Sequence, residues 1–86
     1  MEISIELSLY PLAEEKYKDE IWSFISRLKA NTGIRVETNG MSTQVFGPYD
    51  ETLQFVMNEM KLVHQACHSA VFILKIIAAD RQRQYA

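Results

Sequence analysis

Eighty-six residues, 10.0 kDa and one cysteine describe one small domain with no internal disulfide. A composition of 48% hydrophobic and 23% charged residues excludes a disordered chain. A net charge of −2 and a pI of about 5.6 exclude a general attraction to nucleic acid. The longest apolar run, Ala70 to Leu74, is far shorter than the roughly 20 residues a membrane-spanning helix needs. The opening residues alternate and carry acids, so neither a signal peptide nor a membrane association is expected and a cytoplasmic location is the default.

Residues 2–9 predict a strand, with Ile3, Ile5, Leu7 and Leu9 on one face and Glu2, Ser4, Glu6 and Ser8 on the other. Tyr10-Pro11 ends it, because proline has no N–H for a ladder. Residues 14–31 predict a helix whose apolar stripe is Tyr17, Ile21, Phe24, Ile25 and Leu28. Glu14 and Glu15 suit its first turn, Arg27 and Lys29 its last, and Gly33 its C-terminal cap. Trp22 lies beside the stripe, where core, interface and pocket wall are all open to it.

Residues 34–47 predict two strands, Ile34 to Glu37 and Met41 to Phe46, joined at Asn39-Gly40 and closed by Gly47-Pro48. Asn-Gly is a hairpin signal because both residues tolerate positive φ. Residues 51–66 predict a second helix, with Asp50 as N-cap and Leu53, Val56, Met57, Met60 and Val63 as its buried stripe. Residues 70–79 predict the last strand, and residues 80–86 a frayed polar tail.

The order strand, helix, strand, strand, helix, strand implies an α+β, ferredoxin-like βαββαβ sandwich. Right-handed crossovers arrange its antiparallel sheet as 4-1-3-2, with both helices on one face. The last strand is then an edge, yet Phe72, Leu74 and Ile76 on one face and Val71, Ile73 and Ile77 on the other are all apolar. Such an edge is expected to be covered by another subunit.

Candidate chemistry is sparse. His64, Cys67 and His68 place two imidazoles and a thiol at the end of the second helix, but no fourth ligand accompanies them, so no metal and no cofactor are expected. No hydroxyl has a partnered histidine and no carboxylate pair must act as acid and base, so no catalytic residue is assigned. The acids of the first strand would repel phosphate, which argues against RNA on the open sheet face. No glycine-rich phosphate loop precedes the first helix. Ser8, Tyr10, Thr38, Asn39, Met41, Ser42 and Thr43 gather small polar groups, an aromatic and a thioether at the strand ends. They suit a flat, uncharged heterocycle, and they equally suit plain strands and a turn.

The stretches Leu9-Tyr10-Pro11-Leu12 and Val36-Glu37-Thr38-Asn39-Gly40-Met41-Ser42-Thr43-Gln44-Val45-Phe46-Gly47 resemble the YkoF-like thiamine-binding protein family. An Ile-rich last strand ending in Asp80-Arg81 adds to the resemblance, which spans residues 2–81. It implies a ferredoxin-like fold and assembly into homodimers or homotetramers through the sheets. It also implies non-catalytic binding of thiamine or its hydroxymethylpyrimidine moiety. Members with two tandem copies of the unit carry that function best, and this chain has one copy. By resemblance, Ser42 and Thr43 are the leading ligand contacts, Tyr10 walls the pyrimidine, and Asn39 and Met41 line the same region. A cationic thiazolium would gain from Glu37 or Glu6 nearby. The alternative is an oligomeric protein-interaction module with no small-molecule ligand.

Overall fold

The computed structural model describes residues 1–11 and 17–83. In chain order the elements are β1 (Glu2–Pro11), α1 (Tyr17–Ala30), β2 (Arg35–Thr38), β3 (Thr43–Pro48), α2 (Tyr49–Ala66) and β4 (Ala70–Ile77). All strand pairs are antiparallel and the sheet runs β2-β3-β1-β4, the expected order read from its other edge. The chain is therefore a ferredoxin-like α+β fold. No helix among the described residues is long and apolar enough to cross a membrane.

The alternation in β1 decides which face the helices cover. Ile3, Ile5 and Leu7 are buried, joined by Val45 of β3, by Phe24, Ile25 and Leu28 of α1, and by Val56 and Val63 of α2. Each such side chain contributes about 1.5–3 kcal/mol on burial, so this layer supplies most of the stability. Phe72 of β4 packs on Phe24, ring centroids 5.5 Å apart, and meets His64 edge-on at 5.3 Å. His64 Nε2 bonds the Ala70 carbonyl at 2.9 Å, so it carries the hydrogen in that contact. Cys67 is buried at the C-cap of α2. Among the described residues no three His, Cys, Asp or Glu side chains group so as to hold a metal ion.

Several expectations are corrected. Helix α2 starts at Tyr49 with Pro48 as N-cap and no side-chain cap, so Asp50 lies in the first turn. Pro48 has φ −60° and moves directly from strand to helix, while the Tyr49 N–H donates to the Met1 carbonyl at 2.9 Å. Met57 is exposed, and Thr52 joins Val56 and Val63 as the buried residues of α2. Thr52 sits against Gly47, where a Cβ would come within 2.5 Å of its Oγ1. Gly33 and Gly40 lie outside the left-handed region, so neither serves the positive-φ role expected of it. Asn31 Oδ1 instead accepts the Gly33 N–H at 2.8 Å. Glu14, Glu15 and the Tyr17 side chain lie outside the described residues.

The tail is the largest correction. Residues 79–83 fold back over the open sheet face as a strap. Ser4 Oγ donates to the Ala79 carbonyl at 2.6 Å and accepts the Arg81 N–H at 2.8 Å. Asp80 is 6% exposed and pairs with Arg35 at 2.7 Å. A composition of charges and amides suggested fraying, but the buried Ser4 of β1 and the partly exposed Arg35 and exposed Glu37 of β2 hold these residues. Gln84, Tyr85 and Ala86 lie outside the described residues.

Candidate functional site

A cleft of about 260 Å³ opens where the β2–β3 loop meets the end of β1 and helix α1. Tyr10, Asn39, Met41, Ser42 and Thr43 all line it, so the structure brings the five candidate residues together. The loop that positions them is not a two-residue Asn-Gly turn. It runs over residues 39–42, and Asn39 organises it: Oδ1 accepts the N–H of Met41 at 2.8 Å and of Ser42 at 3.2 Å. The Asn39 N–H donates to the Ser42 carbonyl at 3.1 Å. An asparagine side chain that mimics backbone in this way needs no left-handed glycine beside it.

Strand alternation then separates the two adjacent hydroxyls. Thr43 is buried on the helix side and shares a 2.7 Å hydrogen bond with Thr38 Oγ1. Ser42 donates to Glu6 Oε2 at 3.1 Å, on the opposite face. Both residues line the cleft, but their hydroxyls are engaged on different sides of the sheet. The two threonines leave spare lone pairs at the cleft, and Asn39 Nδ2 has no partner among the described residues.

The back wall is apolar. Leu7 and Leu9 of β1 and Ile21, Phe24 and Ile25 of α1 supply it. The helix stripe is legible in the sequence as core, and nothing in its spacing separates residues that fill the core from residues that also wall a cleft. Ser8 and Thr38 also line the cleft, as their place beside the hairpin allowed. Met41, 88% exposed, and Tyr10, 49% exposed, stand at its rim. No described residue lining the cleft is charged. Trp22 is 61% exposed and lines neither this cleft nor the one on the other face.

The acids considered for a cationic ligand lie elsewhere. On the open face Lys75, Glu6, Gln44 and Glu37 form one row across β4, β1, β3 and β2. The Ser42 hydroxyl and the Lys75 ammonium, 3.3 Å away, hold the Glu6 carboxyl below its ordinary value. This row lines a second cleft, of about 460 Å³, bordered by the strap residues Arg81 and Gln82.

No protein-family model and no curated protein matches the sequence. Solved structures do resemble it. A Streptococcus pneumoniae protein shares 15% identity over 99% of this chain and 94% of its own, with a TM-score of 0.79. A hypothetical protein of Methanocaldococcus jannascii shares 26% identity over 92% of this chain and 81% of its own, with a TM-score of 0.76. A Thermotoga maritima protein assigned provisionally to thiamine biosynthesis or salvage shares 18% identity over 88% of this chain and 82% of its own, with a TM-score of 0.70.

Proposed function

We propose that this chain is a non-catalytic binding protein for thiamine or its hydroxymethylpyrimidine moiety, acting as a homo-oligomer. The observation that carries the reading is the hairpin cleft, which gathers Tyr10, Asn39, Met41, Ser42 and Thr43 around an apolar wall with no charge among its described lining residues. Its volume of about 260 Å³ suits one substituted aromatic ring better than two linked rings. A neutral aminopyrimidine fits such a lining, with its ring against Leu9 and Ile25 and its polar edge toward Asn39 and the threonine pair. A thiazolium cation inside gains nothing from Glu6 or Glu37, which are on the other face. The pyrimidine half therefore enters and the thiazolium half stays at the rim with Tyr10 and Met41. The likeness to the Thermotoga maritima protein supports the choice of ligand class.

Assembly rests on β4. Ile73 is 60% exposed, and Val71 beside it on the open face is exposed too. An edge strand with this much bare apolar surface favours a second copy against it.

Calorimetric titration with thiamine and with hydroxymethylpyrimidine, side by side, tests the reading. Both are expected to bind, the free pyrimidine at least as tightly as the vitamin. At about a hundred times the dissociation constant, either should stabilise the fold by about 2.7 kcal/mol. Tyr10→Ala should weaken both. No heat and no rise in Tm at millimolar ligand would sink the ligand reading and leave the assembly reading as the function of the chain.

A further inference from the structure

The strap and the open sheet face enclose a second cleft that the hairpin site does not use. We propose that it is a binding site for a compact zwitterion, of the kind represented by a free α-amino acid with an apolar side chain. Among the described residues its charged lining is Glu6, Glu37, Lys75 and Arg81, two of each sign, in a space of about 460 Å³. A ligand with a single charge meets as much repulsion as attraction there. A ligand carrying both charges meets complementary partners for each.

The four groups are not equally committed. Lys75 touches Glu6 at 3.3 Å but is largely exposed, and exposed pairs of this kind are worth about 0–1 kcal/mol, so a ligand can displace the contact. Glu37 accepts one hydrogen bond, from Gln82 Nε2 at 2.7 Å, which leaves its second oxygen for a cation. The Arg81 backbone is anchored to Ser4, while its guanidinium has no partner among the described residues. An anchored base with a free fork is suited to a carboxylate. Apolar surface for the rest of the ligand comes from Ile77, with the largely covered Phe46 ring behind it.

The walls are built rather than accidental. The strap is tied down by the Ser4 bonds, by the Arg35–Asp80 pair and by Gln82, which bonds both Arg35 and Glu37. Glu6, which Ser42 and Lys75 keep ionised, supplies a fixed negative charge at the floor. The charged groups at issue do not line the hairpin cleft, so this site stands whether or not that cleft binds a pyrimidine.

The test is a titration of the full chain, followed by calorimetry and by amide NMR shifts, with L-valine, L-leucine and L-phenylalanine. Valinamide, which keeps only the cation, and isovalerate, which keeps only the anion, are the controls. At least one amino acid should bind saturably and move the signals of Gln44, Ile77 and Gln82 while leaving Asn39 and Thr43 in place. Each control should bind about tenfold more weakly than the zwitterion, a difference of about 1.4 kcal/mol. Arg81→Gln keeps the backbone anchor and the fold, which its Tm checks, and should weaken binding about tenfold, whereas Arg81→Lys should retain most of it. The proposal fails if no amino acid binds at about 10 mM, if a control binds as well as the zwitterion, or if Arg81→Gln leaves binding unchanged.

Discussion

At the scale of single residues, Gly47 shows how a close approach constrains sequence. It lies on the helix-facing side of β3, opposite Ile3, where α2 crosses. An added methyl group would meet Thr52 Oγ1 at 2.5 Å and Ile34 Cγ2 at 3.2 Å. Thr52 is fully buried and its side chain is short and branched, so it has no room to swing aside. Gly47→Ala is expected to destabilise the fold by about 1–3 kcal/mol, the usual cost of overpacking a filled site. A urea melt with an unchanged midpoint would show that α2 can retreat without loss. Asn39 is a second case, since one amide side chain takes the place of the positive-φ glycine expected in the turn.

At the scale of elements, the strap is worth more than its position at the end of the chain suggests. It joins β1, through Ser4, to β2, through Arg35 and Glu37. The Arg35–Asp80 pair is lopsided, for Asp80 is nearly inaccessible and Arg35 about one-third exposed. Removing either partner therefore has different consequences. Asp80→Ala leaves an arginine that can reach water, at an expected cost of about 1–2 kcal/mol. Arg35→Ala leaves a buried carboxylate with only the more distant Arg83, at 3.7 Å, and strips the cover from Phe46. It should cost about 2–4 kcal/mol. Equal midpoints for the two variants in denaturant titration would contradict this ordering.

At the scale of the whole molecule, 86 residues make a thin core and leave β4 bare. Ile73 and Val71 lie on the face the helices do not cover, and the strap reaches over β1 and β2 instead. Ile73→Lys places a charge on the exposed edge without touching the core. In the assembly reading the parent chain sediments as a dimer or larger, with a Tm that rises with concentration, and the variant sediments as a monomer. A parent chain that is monomeric at micromolar concentration would remove the basis for that assembly.

Local rules carried by the sequence determined much of this protein. The period of two in residues 2–9, the stripe in α1 and the turn residues between them specify the βαββαβ order, and right-handed crossovers then leave one sheet order. The candidate residues near the hairpin were legible because turn chemistry and strand ends are local. Only the tertiary structure decided what each hydroxyl meets, since a loop of four residues rather than two shifts the register by two, which keeps the faces of β3 but sets Thr43 rather than Met41 opposite Thr38. It alone decided that Ile21, Phe24 and Ile25 wall a cleft as well as fill a core. The strap, too, was hidden in sequence, because Ser4 meets Ala79 and Arg81 across 75 residues or more, Arg35 meets Asp80 across 45, and polar residues announce no distant partner until the chain has folded.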